Sequence, residues 1–181
     1  MDQKMGIQIG AKPDSGFDDP IGMLKDCHRR IERFLHIVCV VARQAQGRAL
    51  SEEETSAVQS ALSYFRSGGQ RHTADEEKSL FPRLRAGIAS ESFKELGRLE
   101  GDHDVAGVLH QTVETFYAQW IAAGPLNAED SQKLLAATEQ LKHLYDEHIQ
   151  VEEQVVFPRA AEALDGNAIA AMGVEFRARR A

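Results

Sequence analysis

The chain is 181 residues long, has a formal net charge of −7 at pH 7 and contains only two cysteines. That length fits one domain with a real core. The acidic balance, with no basic patch beyond Arg177-Ala-Arg179-Arg180, argues against a nucleic-acid partner, and no apolar run reaches membrane length.

Residues 1–18 show no periodicity and read as a flexible arm ahead of a domain over 19–181. The opening Met1-Asp2-Gln3-Lys4 is unlike a signal peptide, so a reducing cytoplasm is the expected location. Asp19-Pro20 pairs an N-cap with a proline at the first helical position. The first predicted helix carries Ile21, Leu24, His28, Ile31, Leu35, Val38 and Ala42 on one face and stops at Gly47. Cys27 and Cys39 lie on this helix about 18 Å apart, too far to pair.

Ser51-Glu-Glu-Glu54 is a capping box that opens the second helix. Its seam is Val58, Leu62, Phe65, Gly69, His72 and Glu76; Pro82 is expected to break or bend it and Ala86-Gly87 to end it. Ser90–Leu96 reads as an offset first turn of the third helix, whose seam runs Leu96, Leu99, His103, Ala106, His110, Val113, Tyr117, Trp120 up to Gly124-Pro125. Asn127 caps the fourth helix, with Leu134, Thr138, Leu141, Tyr145, His148, Glu152 and Val155 on its seam. After the turn at Asp165-Gly166-Asn167, residues 168–179 form a short last helix across the bundle.

Two stretches repeat: His72-x3-Glu76-Glu77-x3-Phe81-Pro82-Arg83 and His148-x3-Glu152-Glu153-x3-Phe157-Pro158-Arg159. Leu24 and His28 likewise return as Leu99 and His103, at an offset of 75 or 76 residues throughout. The chain is therefore two helix hairpins. Short connections make it an all-α, up-down-up-down four-helix bundle.

On a helix, residues i and i+4 share a face, so each His-x3-Glu aims an imidazole and a carboxylate at one point. Counting residues from each turn, at about 1.5 Å rise per residue, brings His28, His72, His103 and His148 to one level of the bundle. A lone histidine on an apolar seam is ordinarily a core residue. Four histidines buried beside Glu76 and Glu152 would be costly without a metal. Imidazole with carboxylate and no thiolate suits iron, manganese or zinc. The twofold repeat points to two ions, each with two histidines, bridged by Glu76 and Glu152, with about one open position per ion.

The pattern resembles the hemerythrin family, the HHE cation-binding domains, over roughly residues 19 to 180. The resemblance implies a non-heme, oxygen-bridged di-iron centre with His28, His72, Glu76, His103, His148 and Glu152 as ligands. Oxygen-carrying members have a further histidine one turn after the third-helix ligand; here that position is Gly107, which argues against five-histidine oxygen carriage.

Tyr145 and Gly69 occupy equivalent places one turn before their histidines. Gly69, with Gly68 loosening the packing, should leave a small cavity into which Tyr145 presents its hydroxyl, toward a bound species or toward His110. His36, His143, Glu77 and Glu153 read as surface groups and Cys27 as packing. Glu100-x2-His103 is similar to ferritin-type ligation but has no second copy, since Lys25 precedes His28. The site is compatible with two functions. One is a di-iron binding protein that meets oxygen, nitric oxide or peroxide, in sensing, iron handling or stress. The alternative is a di-iron oxidoreductase reducing those molecules. No protein partner is legible.

Overall fold

The computed structural model describes residues 14–87 and 94–181, and among them helices are the only regular structure. Four rods make the bundle. The first is α1 (Pro20–Ala45). The second runs α2 (Glu52–Tyr64), a π-helical segment Phe65–Gly69, α3 (Gln70–Asp75), a second π segment Glu76–Leu80 and α4 (Phe81–Gly87). The third is α5 (Lys94–Ala123). The fourth is α6 (Ala128–Val151), a π segment Glu152–Val156 and α7 (Phe157–Ala163). The last helix, α8 (Gly166–Ala178), lies against α1 and the segment Glu76–Leu80. The offset turn expected near Ser90 falls largely outside the described residues.

Local signals place the ends. Asp19 accepts from the Gly22 amide, Ser51 and Glu54 close the capping box, Asn127 accepts from the Asp130 amide, and Asp165 caps α8 through the Ala168 amide. Gln46 (φ 47°) and Gly47 (φ 82°) turn the chain through the left-handed region after α1. The Leu126 amide donates to the Gly47 carbonyl at 2.9 Å, and the Trp120 indole to the Arg48 carbonyl at 2.8 Å. The first and third turns therefore meet at one end, as the up-down-up-down order requires. Of the expected arm, residues 14–18 lie against the domain: Phe17 packs under the Arg177 guanidinium and the Ser15 amide donates to Asp26.

The apolar core is split in two. One cluster, with Ile31, Leu35, Leu62, Val113, Tyr117 and Trp120, fills the end near the first and third turns. The other, with Leu24, Phe81, Leu99, Phe157, Met172 and Phe176, fills the opposite end under α8. A layer of histidine and glutamate separates them. The fourth-rod seam departs from simple spacing after Glu152: Val156 and Phe157 are buried, whereas Val155 is only partly so. The π segment is the cause, because i→i+5 bonding inserts a residue and rotates the remainder of the rod.

Candidate metal centre

Each His-x3-Glu sits where an α-helix widens into a π segment. The Phe81 amide donates to the Glu76 carbonyl, and the Phe157 amide to the Glu152 carbonyl, both across five residues. This wide turn just ahead of Pro82 and Pro158 lets each rod continue through a proline that would disrupt a regular α-helix. Pro82 therefore does not end the second rod, which runs on to Gly87.

The six side chains converge. His72 Nε2 lies 3.1 Å from Glu76 Oε1, and His28 Nε2 lies 3.0 Å from Glu152 Oε2 and 3.8 Å from Glu76 Oε1. On the other side, His103 Nε2 is 3.3 Å from Glu76 Oε2, and His148 Nε2 is 3.4 Å from Glu152 Oε1. Each glutamate thus turns one oxygen to the pair His28/His72 and the other to the pair His103/His148. In each group of four residues the ligand-type atoms lie within 4.8 Å of one another.

Both oxygens of Glu76 and of Glu152, with His28 Nε2 and His148 Nε2, are buried without a hydrogen-bond partner. They surround two common points rather than aiming at each other. Orphaned buried carboxylates are costly, and a cation at each point would satisfy them. The donor set, two imidazoles and two carboxylate oxygens per point, fits iron, manganese or zinc.

Electrostatics agree. Burial alone would lower the His28 pKa, but Glu152 and Glu76 raise it to about 10. At His103 the same opposition, with Glu76 and Glu77 raising, ends at about 9. Burial wins at His72, which falls to about 4. Burial would raise Glu76, yet His72, His103 and His28 hold it well below 4.5. Raised pKa values at His28 and His103 mean that a metal ion binding there competes with protons.

Contacts behind the imidazoles correct one expectation. Glu77 and Glu153 are not plain surface charges. His103 Nδ1 donates to Glu77 Oε1 at 2.8 Å, and His28 Nδ1 to Glu153 Oε1 at 2.9 Å. His148 Nδ1 faces Asp102 Oδ2 at 3.4 Å. A carboxylate on Nδ1 fixes the ring and leaves Nε2 to face the centre. His72 Nδ1 has no such partner, and the repeat's counterpart of Asp102 is Cys27, a buried free thiol. The phenylalanine of each Phe-Pro supports a lone histidine: Phe157 stacks on His28 and Phe81 on His103, with centroids 5.4 and 6.3 Å apart. The doubled glutamate and the Phe-Pro, present in both copies, were the available signals. Glu100 instead pairs with Arg85 at 2.7 Å, which removes the ferritin-like alternative.

The family profile of the hemerythrin HHE cation-binding domain matches residues 19–171. The chain belongs to the hemerythrin family. The matched span holds all six converging side chains. No curated protein matches the chain as a relative.

Beside the centre of this hemerythrin domain a cleft of about 710 Å³ opens between the second and third rods, lined by Phe65, Gly69, His103, Gly107, His110 and Tyr145 among others. The expected cavity is therefore present and much larger than expected. Gly68 does not loosen it: a Cβ there would strike the Tyr64 ring, so this glycine serves close packing. Tyr145 and His110 are joined, with the Tyr145 hydroxyl 3.1 Å from His110 Nε2. Burial lowers the His110 pKa to about 4 and raises that of Tyr145, so both are neutral, and the tautomer of His110 sets which of them donates. His36 and His143 are exposed, as expected. No helix among the described residues is long and apolar enough to cross a membrane.

Proposed function

We propose that this hemerythrin-family domain binds two iron ions, one between His28 and His72 and one between His103 and His148, with Glu76 and Glu152 bridging, and that it reacts with oxygen, nitric oxide or peroxide. The observation that carries this reading is the division of each glutamate's two oxygens between two histidine pairs. Ferrous ions held by these residues would supply electrons and an open position for a small oxidant. The protein's own part is to hold that position. Glu77, Glu153 and Asp102 orient three of the imidazoles, Phe81 and Phe157 wall two of them off from water, and the Tyr145–His110 pair offers a neutral hydrogen-bonding group nearby. The reading favours small-molecule binding with redox reactivity, serving sensing, iron handling or defence against oxidants.

Anaerobic titration with ferrous iron tests it. Saturation at two ions per chain is expected, with a new optical band on adding oxygen, nitric oxide or peroxide. Saturation at one ion or none overturns the two-ion site; two ions that stay spectroscopically silent toward all three oxidants overturn the reactivity.

A further inference from the structure

The cleft is too large for the ligands proposed above. About 710 Å³ is the size of a pocket for an organic molecule, where pockets typically span roughly 300–1,000 Å³. Oxygen, nitric oxide or hydrogen peroxide would fill only a small corner of it.

Its origin is structural. Among the described residues, α2 and α5 approach one another far less than α5 and α6, α1 and α6, or α1 and α2 do. Where they part, side chains are missing: Gly69 stands on one wall and Gly107 on the other. A Cβ on Gly107 would meet nothing within 4 Å, and one on Gly69 would only touch the Phe65 ring, 3.8 Å away. The gap is thus held open by the backbone path and not by a clash.

Its lining selects a chemistry. Leu62, Phe65, Ala106 and Ala118 make an apolar wall. At the mouth Arg66 and Glu114 neutralise one another across the two rods at 2.8 Å. Further in, the titratable groups among the described lining residues besides His103 are Tyr145 and His110, hydrogen-bonded to one another. A cation entering this cleft would lose water and meet no carboxylate among the lining residues other than Glu114, already paired with Arg66. Whichever way its bond to His110 runs, the Tyr145 oxygen keeps a lone pair free to accept a hydrogen bond.

We infer that the cleft between the second and third rods binds an uncharged organic molecule, with an apolar body of phenyl size or larger, that carries a hydroxyl or hydroperoxyl head, its apolar body against Phe65 and Ala106 and its head donating to Tyr145 beside His103. This deepens the proposed function by naming a guest class for the same centre, and the site's position beside the metal rests on that reading. The cleft itself does not.

Benzyl alcohol is the probe, with toluene as its hydroxyl-free counterpart and benzylammonium as its charged one. Zinc-loaded full-length protein removes redox chemistry, and its zinc content is measured in the same sample. Saturable binding of benzyl alcohol is expected by calorimetry, with amide shifts in NMR at Gly69, Gly107 and Tyr145. Toluene should bind about fivefold more weakly, the worth of one hydrogen bond, and benzylammonium more weakly still. Gly107→Phe, which fills an open side of the cleft, should abolish binding, and Tyr145→Phe should equalise benzyl alcohol and toluene. No saturable binding, binding that survives Gly107→Phe, or equal affinity for the charged probe overturns the inference. Fewer than two zinc ions with intact benzyl alcohol binding would instead overturn the two-metal reading and leave the cleft assignment standing.

Discussion

Glu77 and Glu153 show how much rests on the residue next to a ligand-type side chain. Each comes directly after an inward-facing glutamate, points about 100° away, and reaches a histidine on the neighbouring rod. The charge they supply strengthens the imidazole as a donor to a metal. Glu77→Gln or Glu153→Gln keeps the size and an acceptor but removes the charge. Each is expected to weaken zinc affinity about 10-fold or more, read by chelator competition. Affinity equal to the parent's in both variants would return these residues to the solvated surface. Because His72 has no partner on Nδ1, the pair His28/His72 should be the weaker of the two sites in the same titration.

At the scale of elements, the rods owe their ends to caps and their middles to the π segments. The segments at Glu76–Leu80 and Glu152–Val156 start at the two inward glutamates, so the widened turn and the inward carboxylate are one feature. At the start of α2 the capping box carries an extra charge interaction. Arg48, and then the Ser51 amide, hold the Glu54 carboxylate down to about 2 from 4.5. A depressed carboxylate stabilises the fold fully above pH 4.5, and that contribution is lost as pH falls through about 2. Glu54→Gln preserves the box but not the charge. The variant should melt only slightly below the parent at pH 7, since an exposed pair contributes little. The gap should close as pH falls toward 2; a gap independent of pH would mean that charge has no part in it.

Across the whole molecule, α8 is tied to the rod that bears the centre. Asp75, fully buried and adjacent to Glu76, accepts from Arg179 Nε and from Arg180, both at 2.6 Å. Arg179 also donates to Ser79, and Ser79 and Arg83 both reach Glu175 on α8. Replacing Arg179 and Arg180 together by Ala strips a buried carboxylate of its partners. The loss expected in metal-free protein is about 2–3 kcal/mol, below that of a fully enclosed pair because both guanidinium groups keep some contact with water. Denaturant unfolding measures it, and an unchanged midpoint would show that the C-terminal network contributes nothing to stability.

Helical spacing and the repeat were enough to place His28, His72, Glu76, His103, His148 and Glu152 on facing seams at one height. Those are properties of position along a helix, and the rise per residue converts them directly into space. The caps at Asp19, Ser51, Asn127 and Asp165 were legible for the same reason, since each acts within one turn. The relations that spacing left open depend on how neighbouring rods rotate and separate. Only that packing decides that His28 pairs with His72 and His103 with His148, that Glu77 and Glu153 reach across to a neighbouring rod, and that Phe81 and Phe157 stack on the lone histidines. The π segments were hidden too, because they arise where helix geometry must accommodate a proline and a converging carboxylate at once. The cleft beside Tyr145 was foreseen as a small gap at Gly69; its full size comes from the separation of two rods, which no single residue encodes.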